Sequence, residues 1–378
     1  MAKLTIILGA GFSANAGFPL AQAVNERFNR NQTQKLLRMS SSEWLWKDDK
    51  DETTIHNGTI QADANIYSYV FNEVVNQYKL ENGDFTDYED FFQYVLTNSP
   101  KKEWYKNINE QAFNKYLGDH PHMNTSEGLE YLEYYRNSHH SIIIEIINYL
   151  VADLLFLKIP EDVILKFYKS FVDYIQQFDE VSIFTLNHDL LLEGILDYFG
   201  IKYSRGFSEK ESPIFYEDNP LPAFNDDFSD SKIKIFKLHG SLDYYRFEET
   251  ENSQLTGRYN YFSTRGYRAK HYARRVDFKT GKTIQEINSD IIPKFITGKN
   301  KPEIIKNDIM YSSLFNHFKN DISQAEHLLI SGYSFRDEHI NSELEKQKAM
   351  NVTNQRRTQN YPFSAKKIND IDSFDDLH

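Results

Sequence analysis

No cysteine occurs anywhere in the 378-residue chain, which excludes disulfides, thiolate-held iron–sulfur clusters and cysteine-based zinc sites. Positive charge is also in deficit: 43 Lys and Arg stand against 55 Asp and Glu, a formal net charge of -12. Broad electrostatic capture of nucleic acid needs concentrated positive charge, so direct nucleic-acid binding is not expected and only local basic patches stay open. Long uninterrupted apolar runs are missing too. The most apolar helical stretch, Ser141 to Ile159, carries Glu145, Asn148 and Asp153, which make it a buried core helix rather than a membrane span. The first residues lack the basic, apolar and small-residue order of a secretory signal. A cytoplasmic enzyme or binding protein is therefore the expected class. Aromatic residues, by contrast, are abundant: 25 Tyr and 28 Phe contribute to a 15% aromatic content, in a chain long enough for one large domain or two with ample core.

The most informative stretch runs from Lys3 to Leu20. Leu4 to Leu8, mostly branched and apolar, predicts a buried parallel strand that stops on the glycine pair Gly9 and Gly11. Those glycines let the backbone turn sharply and approach a ligand that a Cβ would exclude. Pro19 suits the first turn of a helix, and Leu20, Val24 and Phe28 recur behind it at four-residue spacing. Strand, glycine loop and helix start make a pocket of backbone N–H groups suited to a pyrophosphate, although a purely structural tight turn would look the same. The ordinary dinucleotide fingerprint fits imperfectly: Gly17 and Pro19 delay the helix, and no second strand ending in an acid follows about 20 residues on.

Further along, Arg30 to Asp63 is polar and weakly patterned, and predicts a loop or cover. Helical periodicity then dominates: Ile66, Val70, Val74 and Tyr78 share a face, and further helices are expected over Phe85–Leu96, Glu103–His122, Ser141–Leu157 and Asp162–Phe178. Residues 41–178 thus read as a helical module inserted between the first and second sheet strands, with 1–40 and 179–350 forming a Rossmann-like core. Strands are expected at Val181–Thr185, Lys232–Leu238, Ile291–Ile296 (with Pro293 a caution) and Glu326–Ser331, and a helix at Ile304–Ser323. A polar loop carries Pro213, Pro220 and Pro222. Residues 244–290 form a small basic excursion that reads as a β-ribbon, and 351–378 a polar tail that reads as disordered or as a partner-binding arm. The fold class is α/β. Turns follow Leu8, Thr185, Leu238 and Ser331, and in an open parallel sheet such turns converge on one crevice beyond the strand ends.

Those four turns carry a family likeness. Gly9-Ala10-Gly11-Phe12-Ser13 with Gly17-Phe18-Pro19 resembles the sirtuin pattern Gly-Ala-Gly-x-Ser followed by Gly-Ile-Pro. Thr185-Leu186-Asn187-His188-Asp189 is similar to Thr-Gln-Asn-Ile-Asp, Leu238-His239-Gly240 to Leu-His-Gly, and Gly332-Tyr333-Ser334 to Gly-Thr-Ser. The chain departs from sirtuin deacylases in having no four-cysteine zinc module, whose place 244–282 takes, and in lacking the arginine after the Gly-Ile-Pro segment, where Leu20 and Ala21 stand. It therefore resembles the sirtuin-like NAD⁺-hydrolysing branch of bacterial anti-phage defence, in particular the subunit partnered with a HerA-type hexameric ATPase.

The resemblance implies a sirtuin-like Rossmann-type fold and NAD⁺ as substrate, with no zinc or other metal. Asn187 and His239 become the catalytic pair, and Gly9, Ala10, Gly11, Phe12, Ser13, Phe18, Thr185, Asp189, Gly332, Tyr333 and Ser334 the nucleotide-binding set. It also implies a homo-oligomer restrained or activated through a partner subunit. The residue types suit cleavage of the nicotinamide–ribose bond: Asn187 offers a donor and an acceptor in fixed geometry, and His239 can accept a proton near neutrality. Plainer readings stand beside these. Asp189 reads equally as a helix cap, His188 as packing or pocket lining, and His339 and Asn341 as capping or pocket residues. Glu89 is a candidate to line the cleft from the helical module. The Arg and Lys residues of 258–282 read as a solvated face or as a contact surface for an acidic partner or nucleic acid. Two other functions fit the motifs: a non-catalytic module sensing NAD⁺ or ADP-ribose, and an NAD-dependent protein deacylase.

Overall fold

The computed structural model describes residues 2–29, 34–38, 44–48, 58–83, 87–97, 102–119, 121–251, 254–264, 273–277, 280–286, 293–298 and 300–351. The basic residues Arg265, Arg268, Lys270 and Lys279 and the tail beyond 351 lie outside them.

The chain opens with β1 (Lys3–Leu8), a short helix α1 (Ala10–Ala14) and α2 (Ala21–Asn29). A hairpin of β2 (Gln34–Arg38) and β3 (Trp44–Asp48) follows where a loop or cover was expected. Then come α3 (Gly58–Asn82), α4 (Tyr88–Thr97), α5 (Glu103–Asp119), α6 (Ser126–Leu155) and α7 (Glu161–Ile175). α6 begins fifteen residues earlier than the apolar run at Ser141, because Thr125 caps it by accepting the Gly128 N–H at 3.1 Å. Next are β4 (Glu180–Thr185), α8 (Leu191–Tyr198), the short strands β5 (Phe207–Ser208), β6 (Ile214–Tyr216), β7 (Asn219–Pro220) and β8 (Ala223–Phe224), and β9 (Ile233–Lys237). The last part holds β10 (Tyr244–Glu251), β11 (Gln254–Ser263), β12 (Ala273–Val276), β13 (Thr283–Glu286), α9 (Lys301–Asn307), α10 (Ile309–Gln324), β14 (His327–Ser331) and α11 (Glu338–Asn351). The helix expected over Ile304–Ser323 is broken at Asp308, whose carboxylate accepts the Tyr311 N–H and caps α10.

A parallel sheet in the order β14-β1-β4-β9 forms the centre. Its strands are buried on both faces, as their continuous apolar runs require. Leu4, Ile6, Leu8, Ile183 and Ile235 pack on one side with α7 and α8, while Ile7, Phe184, Phe236 and Ile330 pack on the other with Phe318 and Ile322 of α10 and Leu344 of α11. The result is an α/β Rossmann-type core of helices, sheet and helices. Register decides where the strands stop. Leu8 pairs with both Thr185 and Ser331, and Thr185 pairs with Lys237, so all four strands end in one row.

A second core joins α3 to α6, with Val24 and Phe28 of α2 among its members, whereas Ile164, Phe171 and Ile175 of α7 belong to the sheet core. The basic excursion is not a free ribbon. β11 pairs with β8 and β12 pairs with β6, so the excursion interleaves with the proline-bearing segment before β9, which was expected to be a loop. Pro220 is tolerated because β7 is the edge strand. Arg275, read as part of a solvated face, is 2% exposed and its guanidinium lies 5.7 Å from the Phe247 ring. The strand expected at Ile291–Ile296 is reduced, among the described residues, to one bridge between Gly240 and Phe295. That segment braces the loop after β9 instead: the Ile296 N–H donates to the His239 carbonyl at 2.7 Å. No helix among the described residues is long and apolar enough to cross a membrane.

Candidate functional site

The row of strand ends brings the glycine loop after β1 against the loop after β14. The Gly9 N–H donates to the Ser331 carbonyl at 3.0 Å and the Gly11 N–H to the Gly332 carbonyl at 2.8 Å. An ideal Cβ on Gly9 would lie 2.6 Å from the Gly332 oxygen, and one on Gly11 2.8 Å from Gly332 Cα. Gly332 itself has φ +66 and leaves no room at all, since a Cβ there would fall 2.0 Å from the Phe12 nitrogen. These glycines serve the contact between two loops. The Gly11 N–H, read from sequence as a pyrophosphate donor, is spent on that contact, and the chain turns helical at once in α1. Gly332→Ala is expected to destabilise the protein by on the order of 3 kcal/mol, read as a fall in denaturant midpoint, because strain and collision act together.

A cavity of about 510 Å³ opens beyond the strand ends, within the usual range for a ligand site. Gly9, Ala10, Ser13, Phe18, Asn187, Asp189, His239, Tyr333 and Ser334 line it, as do His188, Glu89 and His339. Gly11, Phe12, Thr185 and Gly332 are not among its lining residues. The Phe12 ring lies instead 5.1 Å from both Tyr168 and Phe171 in the core, and its carbonyl accepts the Tyr168 hydroxyl at 2.8 Å. Thr185 sits behind the site, where its hydroxyl accepts the Asn187 N–H at 3.1 Å. A second hollow of about 640 Å³, lined by Glu193, Arg205 and Asp243 among others, contains none of the glycine-loop residues, Asn187 or the three clustered histidines.

Asn187 is held by its donor end. Its Nδ2 donates to the Gly9 carbonyl at 3.0 Å and to Ser13 Oγ at 2.9 Å, which leaves the amide oxygen as the group free to meet a ligand. Ser13 in turn hydrogen-bonds the Asp189 carboxylate. Asp189 also accepts the Leu191 N–H at 3.0 Å, so it caps the opening of α8 and orients Ser13 at once. Burial pushes its carboxyl above the usual range, opposed by the buried ammonium of Lys237. Lys237 donates to the Asp189 carbonyl and lies 3.3 Å from Glu193 Oε1, which ties the Asn187 loop to the charged groups beneath the sheet end.

A cluster drawn from five segments lines the same cavity. His239 is 3% exposed, and its Nε2 is 3.1 Å from His339 Nε2 and 3.9 Å from Asp337 Oδ1. Lys301 Nζ binds Asp337 Oδ1 at 2.8 Å and Glu89 Oε2 at 2.9 Å, bridging the helical module to the core. Burial opposes the Lys301 charge, but the two carboxylates hold it above the ordinary lysine value. Burial raises the Glu89 carboxyl against the pull of Lys301. His188 lies with its ring 4.7 Å from that of Phe295. Burial and the Lys301 charge lower all three imidazoles: His188 to about 3, His239 well below its ordinary 6.5, and His339 downward despite Asp337.

The lowered imidazole pKa values have a consequence for stability. A folded-state pKa below the unfolded one means that the unfolded chain binds the extra proton, so stability is complete above about 6.5 and is lost as pH falls from there toward the folded values. Denaturation free energy is expected to drop between pH 6.5 and 4.5 by up to about 1.4 kcal/mol per pH unit for each buried imidazole. Removing His188 as His188→Leu should flatten that slope by up to one proton's worth, and an unchanged slope would count against its buried neutral state.

One member of the cluster left no sequence signal: Lys301 opens α9 in Asn300-Lys301-Pro302, an ordinary helix start. Asp337 stands in Gly332-Tyr333-Ser334-Phe335-Arg336-Asp337-Glu338-His339-Ile340-Asn341, a run that resembles the same family branch, but its sequence position alone assigned it no role. Asn341, read as a cap or pocket residue, staples its own loop: its Nδ2 donates to the Phe335 carbonyl at 2.6 Å and its Oδ1 accepts the Tyr333 hydroxyl at 2.9 Å.

No curated protein matches the chain. A family profile described as the SIR2-like domain matches residues 181–374, just over half of the sequence. The matched region begins in β4 and takes in Asn187, His239, Asp337 and His339, while β1 and its glycine loop precede it. The parallel sheet, the crevice at its strand ends and this match agree: the chain belongs to the SIR2-like domain family, whose members use NAD⁺.

Proposed function

We propose that the protein is an NAD⁺ glycohydrolase that releases nicotinamide and ADP-ribose. The observation that carries the reading is the pairing across one cavity of an Asn187 amide oxygen, fixed by two donor bonds, with a neutral His239. In the reaction the C1′–N bond of the nicotinamide ribose breaks, and its electron pair neutralises the pyridinium nitrogen. A water oxygen forms the new bond to C1′, and its proton passes to an imidazole. Asn187 would hold that water or a ribose hydroxyl through its acceptor oxygen, and His239 would take the proton at Nε2. His339 and Asp337 line the route by which it leaves. The acid-rich surroundings, with Glu89 and Asp337 both lining the cavity, favour the positive charge that develops on the ribose. Arg336, also in the lining, is the cation best placed to meet the diphosphate, since Lys301 is already engaged by two carboxylates.

The wider role follows the motif likeness: an effector that depletes NAD⁺ in anti-phage defence, assembled as a homo-oligomer and controlled by a partner subunit such as a HerA-type hexameric ATPase. Incubation of the purified chain with NAD⁺ and an acetylated peptide, with and without that ATPase, tests the activity. Nicotinamide release without peptide supports it. Tight NAD⁺ binding with no turnover under any partner condition would replace it with a sensing role, and deacylated peptide with a deacylase.

A further inference from the structure

The missing cysteines exclude only thiolate metal sites, and the cluster around His239 is built from other ligands. His239, His339 and Asp337 each bring one ligating atom to within 4.8 Å of the others. The two Nε2 atoms are 3.1 Å apart, and His239 Nε2 is 3.9 Å from Asp337 Oδ1. Two nitrogens bound at about 2.05 Å to a tetrahedral zinc ion lie about 3.3 Å apart, so the histidine pair already has the edge length of such a polyhedron to within tenths of an ångström. All three residues line the cavity, which leaves the remaining coordination directions open to water or ligand. Charge also suits a cation: Glu89 and Asp337 set two carboxylates against the single ammonium of Lys301.

We propose that His239, His339 and Asp337 form a site for a divalent cation of the zinc class, and that filling it switches the cavity's hydrolysis off by occupying the His239 Nε2 lone pair. The inhibitory consequence rests on His239 being the base of the proposed hydrolase, whereas the metal site itself does not. Lys301 competes for Asp337, so binding is weaker than at a structural zinc site and reversible by chelators. Imidazole and carboxylate ligands select zinc, cobalt and nickel over magnesium.

Calorimetric titration of the full chain, stripped with EDTA and free of NAD⁺, should show one zinc ion bound per chain and no binding of magnesium. Cobalt should give the visible bands of a four- or five-coordinate site. His339→Ala and Asp337→Asn should each weaken zinc by more than about 100-fold, because a direct ligand is lost. His317→Ala, in a surface pair with Asp226, should leave it unchanged. Thermal melts check folding, and the near-isosteric Asp337→Asn carries the test if His339→Ala does not fold. Zinc should suppress nicotinamide release by the wild-type chain with the midpoint of binding, and EDTA should restore it. Absence of zinc binding, or stoichiometric binding that survives in the folded variants, overturns the site. Binding through these residues with undiminished nicotinamide release overturns the inhibitory role. A chain that binds zinc here yet never releases nicotinamide removes the hydrolase reading and the inhibitory role with it, and leaves the metal site standing.

Discussion

His239→Ala is expected to lower kcat for nicotinamide release by about 10²- to 10⁴-fold, the range for loss of a positioned general base. The residue is buried in the cavity lining, with its imidazole pKa lowered and its Nε2 3.1 Å from His339 Nε2. Its depressed pKa places the acid limb of the kcat/KM profile well below pH 6.5 instead of at the ordinary histidine value. Asn187→Ala should cost about 10²- to 10³-fold, as for removal of one fixed polar group at the reacting centre. Asn187→Asp is the sharper probe. Its second carboxylate oxygen would face the Gly9 carbonyl, where the amide now donates at 3.0 Å, and the loop that positions it would be repelled. Near-normal turnover in both Asn187→Ala and His239→Ala would end the pairing on which the proposed reaction rests.

Lys301→Met is expected to destabilise the folded protein by up to about 3 kcal/mol, the low end of the cost of leaving a buried charge without its partner, because Glu89 and Asp337 are only partly buried. Its side chain is 11% exposed, and it binds Glu89 of α4 on one side and Asp337 before α11 on the other. With the ammonium gone, Glu89 and Asp337 repel each other inside the protein. The loss should shrink markedly when Glu89→Gln and Asp337→Asn are added, since the interaction energy of contacting groups is not additive. Equal losses in the single and triple variants, measured by urea denaturation, would show that Lys301 acts through packing alone. The same bridge joins the helical module to the sheet core, so its rupture should also loosen the wall of the cavity that Glu89 supplies.

Much of the molecule is written locally. Leu4-Thr5-Ile6-Ile7-Leu8 and Val181-Ser182-Ile183-Phe184-Thr185 are apolar on nearly every residue, a pattern that suits a strand covered on both faces. The helix through Val70, Val74 and Tyr78 is legible for the same reason, because its period is repeated over many turns. Short strands carry too few residues to show a period, and β5 to β8 were hidden within a segment that reads as polar loop. The hairpin before α3 lies likewise in a stretch that reads as loop. Arg275 shows the limit of composition: a run of basic residues reads as surface, but one of them turns inward over Phe247.

The divide runs through the site itself. Sequence alone determined that four strands end in special turns, and that Asn187 and His239 follow two of them, because each strand and its turn are contiguous along the chain. It could not determine which side chains share the cavity with Asn187. His239 and His339 are 100 residues apart, and Glu89 and Lys301 212 apart, so no periodicity or spacing links them. Only the register that ends β1, β4, β9 and β14 in one row, together with the helical module laid across it, brings those groups within hydrogen-bonding distance. Glycine shows both sides of the divide. Its place at positions 9, 11 and 332 was evident from the chain, but the reason for it, two backbones pressed into contact, belongs to the tertiary structure.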